Sequence, residues 1–269
     1  MKKILAVILA IFMTISLLGC SINSNRLDSS KTKPLIKNPE SDFEVRPDTV
    51  LGGVVITKFI GNSKRIWIPE IIKNEPVVGI DRFSNLDRLT EIILPNTLKR
   101  IGDEEVYTKT SMFGRELASI NIPDSVTWIS NYAFMNCEKL TSITISDNVT
   151  YIGKGAFENC KGLTDITIGN GIIAILNDTF SGCENLATVK LPDSLVAMGY
   201  FAFSRCVWLK SITLPDKLQY ASGTAFSSCS GLSEIKFKGK TYNVNEKDIM
   251  GWIIDNFEDI SKFVDILKK

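Results

Sequence analysis

The stretch that decides the fold of this sequence is FMNCEKLTSITI, residues 134–145, because its pattern returns at a constant spacing of 23 residues. Five copies share an aromatic position (Phe134, Phe157, Phe180, Phe203 and Phe226) and a thiol position (Cys137, Cys160, Cys183, Cys206 and Cys229). An apolar ladder follows each cysteine, as in Leu140-Ile143-Ile145. A fixed period of this length predicts a β-rich solenoid, in which each coil covers the apolar side of its neighbour.

Two more ladders, Leu89-Ile92-Leu94 and Leu117-Ile120-Ile122, precede these copies and bring the expected number of coils to about seven. In the earlier one, Phe83 and Leu86 take the phenylalanine and cysteine positions. The two ladders lie 28 residues apart, so five extra residues fall between Gly102 and Arg115. We expect this polar insert to protrude as a loop, either as a tolerated bulge or as part of a binding rim.

The repeated cysteines raise the question of disulfides or a metal site. Leu86 occupies the cysteine position in an earlier coil, which indicates an inward position that accepts a small apolar group. Free buried cysteine behaves as such a group, and the paired spacing typical of zinc sites is absent. We therefore expect packed, unpaired thiols, with no metal and no cofactor.

The first 19 residues have the pattern of a targeting signal: Lys2 and Lys3, an apolar run from Ile4 to Leu18, and then Gly19-Cys20. Leu17-Leu18-Gly19-Cys20 resembles the lipobox of bacterial lipoproteins. That resemblance implies that Cys20 carries diacylglycerol and anchors the protein to a membrane, facing outward. An ordinary secretory signal with a chance cysteine is the alternative. Residues 20–42 are polar and predict a flexible tether.

Both ends of the solenoid, which we place at residues 43–237, need a cover. Two apolar runs, at residues 54–59 and 65–68, predict an N-terminal β-hairpin cap. Residues 238–269 break the period and predict an amphipathic C-terminal helix, with its apolar side formed by Ile249, Ile253, Phe257, Ile260, Val264 and Leu267. That helix covers the last coil or, alternatively, binds a partner.

Charge and composition exclude several function classes. The formal net charge is +1, and it becomes −1 once Lys2 and Lys3 are removed with the signal, so no basic field exists to attract nucleic acid. The chain contains no histidine, which excludes Ser-His-Asp and Cys-His catalysis. Carboxylates are scattered over repeating turns without a distinct pair. We expect no enzymatic activity.

The repeat resembles the BspA-like leucine-rich repeats of bacterial surface proteins. Residues 122–137 and 145–160, which include Ile122-Pro123 and the Ala-Phe-x-x-Cys segments, carry the resemblance most closely. Ser146 and Gly169 depart from it, because proline is usual at those positions. The resemblance implies a leucine-rich-repeat fold over roughly residues 50 to 237. It also implies a role in adhesion or surface binding at the cell surface.

One coil departs from the residue pattern of the repeat. At positions where most neighbouring coils carry polar residues, it carries Tyr200, Phe201, Val207 and Trp208. Exposed aromatic clusters commonly mark interaction sites, so we predict a ligand-binding patch here, with packing between coils as the alternative. The outward strand positions form a sheet face rich in hydroxyl groups, which either hydrogen-bonds an extended glycan or peptide or is simply solvated.

These patterns together predict a lipid-anchored, non-catalytic surface module that binds a protein or glycan. A solute-binding lipoprotein of a transporter also begins with a lipobox, but it would need two α/β lobes around a cleft. A hydrolase is disfavoured by the lack of histidine and of an isolated nucleophile.

Overall fold

The chain winds into stacked coils, and each regular coil contributes one short strand to each of two faces. A computed structural model describes residues 36–81, 88–103, 109, 111–245 and 248–267, with the backbone alone for 264–267. Its strands are β1 (Phe43–Asp48), β2 (Gly53–Phe59), β3 (Arg65–Trp67), β4 (Ile71–Ile72), β5 (Glu75–Ile80), β6 (Glu91–Ile93), β7 (Arg100–Ile101), β8 (Ser119–Asn121), β9 (Trp128–Ile129), β10 (Ser142–Ile145), β11 (Tyr151–Ile152), β12 (Asp165–Ile168), β13 (Ala174–Ile175), β14 (Thr188–Lys190), β15 (Ala197–Met198), β16 (Ser211–Thr213), β17 (Tyr220–Ala221), β18 (Glu234–Phe237) and β19 (Lys240–Asn243). Its helices are α1 (Ile249–Asn256) and α2 (Ile260–Leu267).

The longer strands form one face, which we call the long-strand face: β3, β6, β8, β10, β12, β14, β16 and β18. They run parallel, and residues of equal phase pair, so that Ile143 lies beside Ile166 and Ile166 beside Val189. Successive side chains of a strand point to opposite sides. Ile143 and Ile166 are therefore buried, whereas Ser142 and Thr144 face outward. The 23-residue solenoid of about seven coils is confirmed.

The two-residue strands β7, β9, β11, β13, β15 and β17 form the opposite, short-strand face. Here, too, register follows the repeat: Ile101 pairs with Ile129, and Ile129 with Ile152. Both rows of strands send their apolar side chains into one core.

A column of stacked phenylalanine rings fills the turn side of the core. The rings from Phe134 to Phe226 are at most 1% exposed, and successive centroids lie 5.0, 5.4, 5.2 and 5.6 Å apart. Backbone bonds hold the turns in step, since the N–H of Phe157 donates to Thr179 and the N–H of Phe180 donates to Ala202. Aromatic contact thus extends the coil-to-coil bonding beyond the two faces.

The five cysteines lie beside this column as free, buried thiols, which confirms the packing interpretation. Each thiol from the second copy onward contacts the phenylalanine carbonyl of the preceding coil, for example Cys160 Sγ with Phe134 O at 3.0 Å and Cys229 Sγ with Phe203 O at 2.9 Å. Burial raises the pKa of Cys183 to about 12. Burial likewise raises the pKa of Cys137, Cys160 and Cys206, so these three thiols and that of Cys183 stay protonated and unreactive in the folded protein.

The end of the insert is not the protruding loop that its polarity predicts. Residues 104–108 and 110 lie outside the described residues, as do Phe83 and Leu86 of the earlier coil. The end of the insert packs into the solenoid: Phe113 is 2% exposed, and its ring lies 5.0 Å from that of Phe134. Lys109 pairs with Glu158 at 2.6 Å, two coils on, and this hydrogen bond raises the pKa of Lys109. The insert thus delivers a sixth ring to the phenylalanine column.

An N-terminal β-hairpin is present, but its strands are not those that the sequence analysis paired. The antiparallel partner of β2 is β1, with Phe43 opposite Phe59 and Asp48 opposite Gly53. The run at residues 65–68 contains β3, which pairs in parallel with β6 on the long-strand face. The reason is local: Asp48 Oδ1 accepts the N–H groups of Val50 and Leu51 and closes the turn before β2.

The C-terminal cap is confirmed as helical, and the structure divides its helical segment into two short helices. After β19 covers β18 in antiparallel register, α1 ends at Asn256, Phe257 is extended, and α2 begins at Ile260. The break is tertiary in origin: the N–H of Glu258 donates to Gln219 O, and Glu258 O accepts the N–H of Ala221. The linker therefore covers the edge of β17, while β19 covers the edge of β18. An uncovered strand edge is a template for aggregation.

This architecture differs from two α/β lobes around a cleft, which the solute-binding alternative would need. Both α-helices of the described chain belong to the C-terminal cap. Neither is long and apolar enough to cross a membrane.

Candidate functional site

The four residues predicted to form a patch lie at or near the surface of one coil. Trp208 is 58% exposed, Phe201 42% and Tyr200 38%, whereas Val207 is half-buried. An exposed tryptophan on an otherwise regular coil marks a departure from the repeat, since the equivalent positions carry Lys139, Gly162, Asn185 and Gly231. Their role in binding stays a prediction.

The patch divides into two parts. Trp208 precedes β16, and its ring lies 5.6 Å from Lys210 Nζ, a cation–π contact. Tyr200 and Phe201 follow β15 at the other end of the same turn, where the Tyr200 N–H donates to Asn177 Oδ1 at 3.0 Å. No ring contact within the described part of the chain joins Trp208 to Tyr200 or Phe201.

The second part extends onto the C-terminal cap, which the sequence analysis missed. Gly223 occupies the position of Tyr200 one coil later, and a Cβ atom on it would lie 3.1 Å from Ile254 Cγ1 and 3.2 Å from Met250 Cγ. Ile254 is 62% exposed. Helical spacing alone could have placed both residues off the buried side of α1, but only the tertiary fold brings that side next to Gly223.

The outward positions of the long-strand face are accessible, as predicted. In the middle of this face, Ser142, Thr144, Asp165, Thr188 and Lys190 are exposed, and Thr167 is half-buried. Thr144 pairs with Thr167, and Thr167 with Lys190. The face thus presents hydroxyl groups next to one ammonium group.

A groove opens at the carboxyl ends of β10, β12 and β14, and we call it the edge groove. Its volume is about 570 Å³. It is lined by strand ends and following turns of three coils, together with Asp124. Thr144, Asp147, Thr167, Asn170, Lys190 and Asp193 supply most of its polar groups. It coincides with Ser146 and Gly169, the two turn positions that depart from proline.

Two hydrogen bonds hold the polar wall of the edge groove. Asp147 Oδ1 accepts the N–H of Asn170 at 2.7 Å, and Asn170 Oδ1 accepts the N–H of Asp193 at 3.0 Å. Gly169 allows the turns to approach, since a Cβ atom there would lie 2.4 Å from the carbonyl carbon of Ser146. The wall is therefore preorganised before any ligand arrives.

The described part of the chain contains no candidate metal site. No group of three or more His, Cys, Asp or Glu side chains in it lies close enough together to hold a metal ion.

Comparison with known protein families identifies the type of repeat. The profile described as "BspA type Leucine rich repeat region" matches residues 62–175 and 155–266, with six copies of the repeat. The chain belongs to the BspA-type leucine-rich repeat family. The match covers the regular BspA-type coils as well as most of the C-terminal cap.

Two solved structures are similar to this chain. A leucine-rich repeat protein of T. pallidum is 23% identical, with a TM-score of 0.50 over 65% of this chain and 91% of its own. A leucine-rich cell surface protein of Faecalibacterium prausnitzii is 17% identical, with a TM-score of 0.41 over 77% of this chain and 96% of its own. No curated protein sequence matches this chain. At this identity, the likeness to the T. pallidum protein supports the BspA-type fold alone.

Proposed function

We propose that this protein is a lipid-anchored module of the bacterial cell surface that binds a protein or glycan and carries out no catalysis. The observation that carries the proposal is Trp208, which is 58% exposed and paired with Lys210 on an otherwise regular coil. Tryptophan is enriched among residues that dominate binding energy. A solenoid also offers extended surfaces for binding.

The surface location is supported by a feature of the sequence. Gly19-Cys20, after an apolar run, resembles the lipobox of bacterial lipoproteins. Stable anchoring by lipid needs two or more acyl chains, which the modified cysteine of a lipoprotein supplies.

Trp208→Ala should weaken ligand binding about tenfold or more and leave the melting temperature nearly unchanged, because the ring is largely in solvent. The ligand is found by screening the full chain on glycan and matrix-protein arrays, and its affinity is then measured by calorimetry. Trp67→Ala, at a 36% exposed tryptophan of β3, is the matched control and should retain binding. A variant that loses several degrees of stability but keeps its ligand would show that Trp208 is structural.

Cys20→Ala should release the protein from the membrane fraction, because the substitution removes the sulfur that carries the lipid. The measurement is cell fractionation combined with incorporation of labelled palmitate. Ser21→Ala, next to the anchor, should leave both unchanged. Acyl label that persists in the Cys20→Ala protein would refute the anchor.

A further inference from the structure

We propose that the edge groove binds a neutral carbohydrate chain. The inference rests on the proposed function, since the carbohydrate would be a ligand of the surface module, and it adds a ligand class and a second contact region. With a volume of about 570 Å³, the groove falls within the roughly 300–1,000 Å³ typical of small-ligand sites.

The wall of the edge groove carries hydrogen-bonding atoms that the protein itself does not use. Asp147 and Asn170 each use one oxygen to bind the backbone of the next coil. Asp147 Oδ2 then remains as an acceptor and Asn170 Nδ2 as a donor, with no partner for either among the residues that the structure describes. Because the coils are about 4.8 Å apart, an acceptor and a donor alternate along the groove wall.

The edge groove carries charges of both signs. Asp124, Asp147 and Asp193 bring carboxylates, whereas Lys190 brings an exposed ammonium group. Within the described chain, no carboxylate lies within ion-pair distance of Lys190. Three carboxylates repel a polyanion. The side chains of a lysine- or arginine-rich segment have only donors, so they cannot accept a hydrogen bond from Asn170 Nδ2, and their positive charge is repelled by Lys190.

A hydroxyl group meets both requirements, since it donates one hydrogen bond and accepts others. A sugar ring presents several hydroxyl groups in fixed directions. These groups can donate to Asp147 and accept from Asn170 and Lys190. Thr144 and Thr167, which are paired on adjacent strands, add two hydroxyls that serve in either sense. Leu191 and Pro192 line the same groove with apolar carbon, suited to the apolar face of a sugar ring.

Trp208 lies in the turn that precedes β16, the strand that follows β14 on the long-strand face. Thr213, five residues after Trp208, occupies the position of the groove residue Lys190 one coil later. Five residues span at most roughly 18 Å even when fully extended, a distance that several linked sugar units can bridge. An exposed tryptophan ring supplies a stacking platform at the far end of such a chain.

The test uses the full chain and four soluble polymers: mannan and dextran as neutral probes, heparin as the anionic probe, and polylysine as the cationic probe. We expect mannan or dextran to bind and heparin and polylysine not to bind. Lys190→Ala and Thr167→Ala should each weaken binding of the neutral polymer, and the double variant should weaken it about tenfold or more. Lys154→Ala, at an exposed lysine outside the groove, is the matched control.

The outcomes separate this inference from the proposed function. Binding of heparin or polylysine alone overturns the ligand class, and so does failure of both neutral polymers. An array ligand that is lost in Trp208→Ala but kept in Lys190→Ala overturns the groove and leaves the surface module intact. If binding of the neutral polymer is lost in Lys190→Ala but kept in Trp208→Ala, the groove is supported as the carbohydrate site and Trp208 takes no part in it. Lys190→Ala and Trp208→Ala both change exposed side chains, so unfolding does not confound the comparison between them.

Discussion

Phe180→Ala should lower the free energy of unfolding by about 3–5 kcal/mol, the usual loss when a buried phenylalanine is truncated. Phe180 has no exposed surface, and its ring stacks on those of Phe157 and Phe203 at 5.4 and 5.2 Å. The substitution leaves a cavity in the middle of the phenylalanine column. Because coils contact only their neighbours, it also weakens the interfaces on both sides. Urea unfolding followed by circular dichroism measures the loss.

Phe201→Ala provides a matched control, since it makes the same chemical change at a ring that is 42% exposed. Substitutions at exposed positions usually change stability by no more than about 0.5 kcal/mol. Equal losses in the two variants would contradict the assignment of Phe180 to a closely packed interior column.

Arg100→Ala should lower the free energy of unfolding by up to about 3–5 kcal/mol, because it removes a buried guanidinium from between two largely buried carboxylates. Asp81 keeps a second cation, since Arg46 Nη2 lies 3.0 Å from Asp81 Oδ2. The Arg100 side chain is 6% exposed and lies 3.2 Å from Asp81 Oδ1 and 3.7 Å from Asp48 Oδ2. Its Nη1 also donates to the carbonyl of Gly102 at 2.7 Å. Asp48 ends β1 and Asp81 follows β5, so this one side chain ties the N-terminal hairpin to two coils.

The loss in Arg100→Ala should depend on pH. Burial raises the pKa of Asp81, and Arg100 opposes that rise. Without Arg100 the native state binds the Asp81 proton more tightly than the unfolded chain does. The difference in free energy of unfolding between the wild type and Arg100→Ala should therefore shrink as the pH is lowered from 7 towards the raised pKa of Asp81.

Arg115→Ala is the control for the charge network, because its side chain is 71% exposed and lies 3.9 Å from Glu138. Exposed ion pairs are worth at most about 1 kcal/mol. Thermal unfolding of both variants at pH 7 and pH 5 gives the comparison. A pH-independent deficit in Arg100→Ala would rule out the loss of charge pairing as its cause.

The sequence determined the solenoid, its period and its inward residues because each coil repeats one local solution. Equal spacing places Ile143, Ile166 and Val189 in register, and each covers the next. The same logic identified the cysteines as core residues. It failed at Phe113, which stands 21 residues before Phe134 and enters the phenylalanine column only because the insert shifts the chain.

Only the tertiary structure decided the ends and the surface sites, where the repeat no longer supplies its own partner. The turn at Asp48 paired β1 with β2, and the backbone of Glu258 left the helical path to cover β17. The edge groove arises from turns of three coils, so no single repeat encodes it. Periodicity specifies contacts between like units, whereas caps, grooves and ion networks depend on unlike segments that meet only after folding.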